Sequence, residues 1–393
     1  MSERAIALVD GEHLAPVVRD ALQALPYDVV GAMLVGGTEK LRGGDDYGVP
    51  LVEALEAVEA DLVVDLSDEP VLGPRERMLW ASRALALGLP YVGADFRFEP
   101  PQLEPVGAPS LAVIGLGKRI GKTAVAGHLA RVLAADRRVV VVAMGRGGPA
   151  DPELVETPPT LDDLLALARS GRHAASDHFE AAALAGVPAI GCRRAGGGLA
   201  GAPFCTNVLE GARLAVQLDP ELLVFDGSGA ALPPVEVDAR ILVANKGHDP
   251  RAGLNAYRVL VSDLVVDTGG ADREAIRSIS DVPVVAAELR LRPAEPLRGR
   301  RTAVFTTGAA PTDELDAEVV HVSRNLAHRE ALQDELERVD AEVYLVELKA
   351  AAVDVVAEAA LERGAEIVLA ANDVVSEEFD ERVLSLAQQV VRA

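Results

Sequence analysis

Gly115-Leu-Gly-Lys-Arg-Ile-Gly-Lys-Thr123 is the strongest indication of fold in this 393-residue chain. It follows a short apolar run, 111–114, that predicts a buried strand, and it precedes 124–133, which predicts a helix. A glycine loop in that setting, with Gly-Lys-Thr at the start of the helix, is what a phosphate-binding loop requires. The backbone N–H groups of such a loop converge on a polyphosphate, and the helix N-terminus adds its positive end. The sequence therefore predicts a P-loop that binds a nucleoside triphosphate.

Each residue type in the loop has a predicted role. Backbone at Gly115, Gly117 and Gly121 would approach the phosphates of ATP. Lys122 would reach the β- and γ-phosphates, and the Thr123 hydroxyl would ligate Mg²⁺. The alternative is a glycine-rich turn before an ordinary helix.

The loop is one residue longer than the common form, because Leu116 stands where the first glycine is usual. A longer loop of this kind resembles that of dethiobiotin synthetase and its relatives. Lys118 and Arg119 lie inside it, where they would act with Lys122 on the transferring phosphoryl group. The alternative is that they only shield bound phosphate.

A second feature is Leu222-Leu-Val-Phe-Asp226-Gly-Ser-Gly229, in which an apolar run ends in a carboxylate. It places Asp226 at the tip of a buried strand, where it would hold Mg²⁺ directly or through water. The alternative is an aspartate that caps a loop. The stretch also resembles the Glu-Gly-Ala-Gly-Gly segment of dethiobiotin synthetase, with aspartate in place of glutamate. The predicted metal ligands are thus Thr123 and Asp226.

Three arginines follow apolar strands of the same region. Arg146 lies in a glycine loop after 139–143, and Arg193 and Arg194 lie in another after 187–190. Guanidinium groups suit bidentate phosphate contacts, so the three together suggest a second, strongly anionic ligand. Asn245 follows a strand at 241–244 and is predicted to contact the base. Asp249 comes one residue too late for the guanine-reading motif.

Two proline-rich passages, 99–105 and 292–296, predict linkers and divide the chain into three domains. These are a Rossmann-like α/β domain at 1–104, a central ATP-binding domain at 109–292 and a small α/β domain at 298–393. Strands and helices alternate throughout, which predicts an α/β fold with parallel, doubly wound sheets and a central P-loop NTPase domain.

The first domain is predicted to have strands at 5–9, 29–35, 62–66 and 91–92 and helices at 14–25, 51–60 and 75–87. Its first strand ends in Asp10-Gly-Glu-His13, at the sheet edge where open α/β sheets bind ligands. A turn with a helix cap is the alternative. In the last domain, strands are predicted at 302–306, 319–322, 343–346 and 367–370.

The amino-acid composition limits which binding partners and which cellular compartment are expected for this protein. The formal net charge is −23, so nucleic acid and anionic membranes are not expected partners. Whether the acidity reflects a salt-rich cytoplasm is left open. Two cysteines fit a reducing compartment, and no apolar run reaches the ~18 residues that span a bilayer. These features, together with a strand that begins within the first residues, predict a cytoplasmic protein. Whether it forms a homodimer is left open.

Several stretches together resemble the cyclic 2,3-diphosphoglycerate synthetase family: 10–22, 112–128, 142–149, 173–180, 191–194 and 226–235. The likeness is strong in the first two domains and poor in the third. The resemblance implies that ATP phosphorylates one phosphate of 2,3-diphosphoglycerate. The other phosphate then displaces inorganic phosphate and closes an intramolecular pyrophosphate.

The working hypothesis is an ATP-dependent ligase, a cyclase, with ATP and Mg²⁺ as cofactors and a small phosphorylated acid as substrate. Arg146, Arg193, Arg194 and His13 would bind the acid in a cleft between the first two domains, with Asp10 and Glu12 orienting His13 or the arginines. The alternatives are a P-loop kinase of a small acid, a dethiobiotin-synthetase-like ligase, and a nucleotide-switch protein.

Overall fold

The computed structural model describes residues 2–36, 46–69, 71–172, 174, 176–307, 311–348 and 352–392. Its N-terminal part has five strands and two helices: β1 (Arg4–Val9), α1 (Ala15–Ala24), β2 (Asp28–Leu34), β3 (Leu62–Asp65), α2 (Pro74–Ala86), β4 (Tyr91–Val92) and β5 (Arg97–Phe98). They form one sheet in the order β2-β1-β3-β4-β5, parallel except for β5. The predicted parallel sheet is therefore confirmed.

The helix predicted at 51–60 is wrong. The structure has only a single 3₁₀ turn there, Leu55–Ala57. The amide of Ala32 donates to Pro50 O, and the amide of Val52 donates to Ala32 O, each at 2.9 Å. Because these backbone groups pair with β2, they are not available for a helix.

The central part contains β6 (Ser110–Gly115), α3 (Lys122–Leu133), β7 (Val139–Gly145), β8 (Glu153–Val155), α4 (Leu161–Arg169), α5 (Asp177–Glu180), β9 (Ala189–Ala195), β10 (Cys205–Thr206), α6 (Val208–Val216), β11 (Leu222–Asp226), β12 (Ala239–Ala244), α7 (Asn255–Leu260), β13 (Leu264–Asp267), α8 (Arg273–Ile279) and β14 (Val284–Ala286). A π-helix, Ala181–Ala185, continues α5. The sheet order is β10-β9-β7-β11-β6-β12-β13-β14, with β8 paired to β9. Strands β6 and β11 are buried along their whole length. This agrees with their continuous apolar sequence, since parallel strands are covered on both faces.

The C-terminal part contains β15 (Glu288–Pro293), β16 (Arg301–Phe305), β17 (Glu318–Ser323), α9 (Arg329–Leu336), β18 (Val343–Glu347), α10 (Glu358–Glu362), β19 (Glu366–Val375) and α11 (Glu377–Arg392). A π-helix, Ala352–Ala357, precedes α10. The sheet order is β15-β19-β18-β16-β17, and only β15 runs antiparallel. The linker predicted at 292–296 begins inside β15, because this strand pairs with β19.

By packing, the chain forms two compact units. The first comprises 1–102, 248–261 and 272–282, and the second comprises 103–247, 262–271 and 283–393. Helix α7 belongs to the first unit because it packs against α2, and α8 packs against α7. Among the described residues, no helix has the length and apolar character needed to cross a membrane.

Within the second unit, the P-loop sheet and the C-terminal sheet share a core. Val374 of β19 and Phe379 and Val383 of α11 lie in the same apolar cluster as Leu129 of α3 and Val224 of β11. The amide of Val374 also donates to Nδ1 of His128, on α3, at 3.2 Å. These contacts fix the position of the C-terminal sheet relative to the P-loop helix.

Candidate active site

The predicted P-loop runs from the end of β6 to the start of α3. Arg119 and Gly121 have left-handed backbone, with φ of 59° and 81°. The loop is also held by the residue that follows β13, because Oγ1 of Thr268 donates to Ile120 O at 2.8 Å. A Cβ on Gly115 would lie 2.5 Å from Cδ1 of Ile120, so the loop folds back over Gly115 too closely for a side chain there.

Lys122 and Asp226 form a buried ion pair between Nζ and Oδ1. Asp226 is the last residue of β11, which lies directly beside β6 with Asp226 opposite Val113. The two side chains are 9% and 3% exposed. The cation of the loop and the carboxylate of the neighbouring strand therefore lie together; the sequence analysis assigned them separately, to phosphate and to Mg²⁺.

A cavity of about 700 Å³ opens over the loop. That size is within the range of small-molecule sites, roughly 300–1,000 Å³. Its floor is 117–124, and its sides include the end of β7 with 146–148, the loop residues 227–229 after β11, and Asn245, which follows β12. Lys118, Arg119, Arg146 and Asn245 thus border one space with Lys122 and Thr123.

Three cationic side chains converge on Gly229, in the loop that follows Asp226. A Cβ on Gly229 would lie 3.4 Å from Cγ of Lys118, 3.8 Å from Nη2 of Arg146 and 3.9 Å from Nη2 of Arg194. Burial lowers the pKa of Arg194, and the charge of Arg146 lowers it further. Nearby like charges raise the free energy of the site, and an anion held among them would offset that repulsion.

Arg193 and Arg194 lie inside β9, not in a loop after it as the sequence predicted. The strand continues to Ala195 because β10 pairs with its end. Successive strand residues point to opposite faces. Arg194 is half-buried and donates from Nη2 to Ser228 O at 2.9 Å. Arg193 is exposed, and its amide donates to Oδ1 of Asn207 at 2.7 Å.

The donor groups near Thr123 fit the predicted magnesium site. Thr123, Asp226 and Glu180 border a small space of about 30 Å³ beside the start of α3. A hydroxyl and two carboxylates form the oxygen donor set that Mg²⁺ prefers. Glu180 was not predicted, because its position next to Thr123 depends on the packing of α5 and the following π-helix on α3.

His178 is a further residue that the sequence reasoning missed. Its ring lies beside the backbone of Gly191, where a Cβ would approach Nδ1 to 2.5 Å. The residue is 2% exposed, and it borders the cavity. Burial lowers its pKa, while the nearby Glu153 carboxylate, 3.6 Å away, opposes that shift. In the sequence, 173–180 contributed only to the family resemblance, and no role was assigned to His178.

In the first unit, Asp10 and His13 end the first strand as predicted. Nδ1 of His13 lies 3.1 Å from Oδ1 of Asp10, and Nε2 lies 3.3 Å from Oδ2 of Asp68. The hydrogen bond to Asp10 raises the pKa of His13. Both oxygens of Asp10 also accept backbone amides, from Glu12 at 2.9 Å and Asp68 at 2.8 Å. Asp10 therefore orients His13 and closes the turn at the same time; the role of His13 in acid binding stays a prediction.

Family models match all three predicted regions of the chain. They are described as the N-terminal, P-loop and C-terminal domains of cyclic 2,3-diphosphoglycerate synthetase and match residues 4–99, 110–284 and 293–373. The chain belongs to the cyclic 2,3-diphosphoglycerate synthetase family. The C-terminal match corrects the expectation that the likeness is poor there.

Relatives of that name match over nearly the whole chain. The one from Rubrobacter xylanophilus is 48% identical, covering 99% of this chain and 98% of the relative. The one from Thermococcus gammatolerans is 42% identical and covers 98% of each. Among solved structures, LpxK from Aquifex aeolicus in complex with ATP overlaps with a TM-score of 0.45 at 16% identity. It covers 74% of this chain and 90% of that chain. Family membership therefore rests on the sequence matches.

Gly148 should be essential for the loop that carries Arg146. A Cβ at Gly148 would lie 2.0 Å from the carbonyl oxygen of Cys192, whereas a Cβ at Gly147 would meet no atom within 4 Å. We expect Gly148→Ala to lower the free energy of unfolding by about 1–3 kcal/mol and to shift the loop, since backbone must move. Gly147→Ala, the matched control, should leave the denaturation midpoint nearly unchanged. Equal stability of the two variants would contradict the packing described here.

Proposed function

We propose that this protein forms cyclic 2,3-diphosphoglycerate from 2,3-diphosphoglycerate with ATP, releasing ADP and inorganic phosphate. The observation that carries the proposal is the convergence of Lys118, Arg146 and Arg194 on Gly229, next to a P-loop. Family membership supports it, because relatives 36–48% identical bear the synthetase name. We place the reaction in the cytoplasm, where ATP is available.

The proposed reaction has two displacements at phosphorus. An oxygen of one substrate phosphate attacks the γ-phosphorus of ATP, and the bond to the β-phosphate oxygen breaks to give ADP. An oxygen of the second substrate phosphate then attacks the phosphorus of the first, and inorganic phosphate leaves. One P–O–P linkage remains in the ring, so a single ATP is consumed for each cyclic product.

The cations that border the cavity, together with Arg194 beside Gly229, would supply most of the catalysis. Two phosphates on one small acid repel each other, and ring closure requires them to meet. Arg146 and Arg194 would hold the acid, while Lys118, Arg119 and Lys122 would neutralise charge on the transferring group. Thr123 and Asp226 would hold Mg²⁺, with Glu180 adjacent; the metal would polarise the phosphoryl oxygens.

The direct test is incubation of the pure protein with ATP, Mg²⁺ and 2,3-diphosphoglycerate, followed by ³¹P NMR. We expect a cyclic pyrophosphate signal, with ADP and free phosphate in equal amounts. ADP with a phosphorylated acid but no free phosphate would instead identify a kinase. Turnover that is indifferent to every small phosphorylated acid would indicate a nucleotide switch.

Replacements of Lys122 and Asp226 should distinguish effects on ATP binding from effects on the phosphoryl-transfer step. We expect Lys122→Ala to abolish turnover and weaken ATP binding, because the ammonium is lost from the phosphates. Asp226→Asn should reduce kcat more than ATP affinity, since a metal contact matters most as charge develops in the transition state. Single-turnover kinetics and calorimetric ATP binding would measure both effects. A near-normal kcat for Asp226→Asn would move the metal role to another carboxylate.

The arginines should differ in their effect on the acid. We expect Arg146→Ala to raise KM for 2,3-diphosphoglycerate and to lower kcat/KM about ten- to a hundredfold, with ATP affinity nearly intact. The sequence assigned Arg193 to the acid as well, but Arg193 is exposed on the opposite face of β9 from Arg194. We therefore use Arg193→Ala as the matched control and expect its kcat/KM within about threefold of wild type. Equal loss of ATP and acid binding in Arg146→Ala would assign this residue to the nucleotide instead.

A further inference from the structure

The C-terminal sheet has a topological switch point next to β16. Strand β16 lies between β17 and β18 in the sheet. The next strand along the chain, β17, pairs on one side of β16, and the strand after it, β18, pairs on the other side. In open α/β sheets, ligands bind outside the carboxyl ends of the strands at such a switch point. Thr307 follows β16 by two residues, and Glu347 is the last residue of β18.

This edge opens on the same cavity as the P-loop. Thr307, Glu347 and Asn372 border it together with 117–124. The placement is fixed by β15 and β19, which pair beyond the end of β18: Ala370 lies opposite Glu347, and Asn372 lies opposite Leu291. Leu289 of β15 packs against the P-loop, with Cδ1 only 2.4 Å from where a Cβ of Gly121 would lie.

Glu347 is held rigidly by protein donors. Its Oε2 accepts from the amide of Thr307 at 2.7 Å and from Oγ1 of Thr307 at 3.0 Å. Its Oε1 accepts from Nδ2 of Asn372. The residue is 6% exposed. A carboxylate oxygen can accept two hydrogen bonds, so Oε1 can take a further donor from a ligand in the cavity.

The chemistry of the two substrates decides which of them this carboxylate would contact. 2,3-Diphosphoglycerate presents a carboxylate and two phosphates, and these would be repelled by Glu347. The sugar of a nucleoside triphosphate carries hydroxyl groups that donate hydrogen bonds. A separate cationic region of the protein, around Gly229, is available to bind the acid.

We propose that Glu347 binds a ribose hydroxyl of ATP, and that Thr307 and Asn372 position it. The C-terminal sheet would then supply the nucleoside-recognition part of the site and favour ribonucleotides over deoxyribonucleotides. This inference rests on the proposed use of ATP. It assigns a specificity role to a residue outside the P-loop domain.

The test compares the affinities of ATP, 2′-deoxy-ATP and 3′-deoxy-ATP by isothermal titration calorimetry with Mg²⁺ and without the acid. In the wild-type protein, we expect at least one deoxynucleotide to bind about ten- to a hundredfold more weakly, the range for a hydrogen bond to a charged group. In Glu347→Gln that preference should fall at least threefold, because a neutral acceptor makes a weaker bond. Glu337→Gln, an exposed site on the same domain, removes one charge and should retain the full preference.

Two results would overturn the inference: equal affinity of the wild-type protein for all three nucleotides, or an unchanged preference in Glu347→Gln. The first measurement needs no variant, so poor folding of Glu347→Gln would not prevent a decision. If deoxynucleotides bind as well as ATP while cyclic product still forms, only the ribose contact fails. If ATP does not bind at all, the proposed function and the inference both fail.

Discussion

The ion pair between Lys122 and Asp226 is the constraint on which the rest of the site depends. Two charges in a region this buried are stable only when they compensate each other, and removal of one partner is typically destabilising by about 3–5 kcal/mol. The pair joins the start of α3 to the end of β11 and so fixes the P-loop against the neighbouring strand. Phosphate and Mg²⁺ would offer each group a new partner of the required sign. Ligand binding would thus exchange one compensated arrangement for another without leaving a bare charge in the interior.

The cationic region around Gly229 follows from that geometry. The loop after Asp226 turns back at Gly229, whose φ of +60° lies in the left-handed region. Lys118, Arg146 and Arg194 approach this loop from three different elements, each within 4 Å of where a Cβ of Gly229 would lie. The chain has a net charge of −23, yet these cationic side chains lie close together, and each disfavours the charged form of the others. A polyanionic substrate would offset this cost, and we consider that the main reason for the arrangement.

The parts that the sequence could predict depend on local signals. The P-loop, Asp226 and the parallel strands combine apolar runs with glycines and charges at fixed positions, so their placement at one sheet edge follows from the fold. The remaining parts depend on distant pairing. Strand β9 continues through Arg193 and Arg194 because β10 pairs with its end. The segment 51–60 is not a helix because its backbone pairs with β2, and β15 is a strand because it pairs with β19. His178 and Glu347 carry no local pattern, since only tertiary packing brings them to the cavity.

The cavity is bordered by both cations and carboxylates, and Glu347 gives the C-terminal sheet its proposed role in the site. Its P-loop floor and the β7 loop present cations, while Glu180 and Glu347 border it from other elements. A single positive surface would bind ATP and the acid in many orientations, because both ligands are polyanions. A fixed carboxylate on one wall repels phosphate and accepts hydroxyl donors, so it orients the nucleoside away from the cations. The same repulsion would direct the acid toward Gly229, next to the γ-phosphate. In the proposed arrangement one buried glutamate, held by Thr307 and Asn372, would determine the order of the two substrates along the cavity.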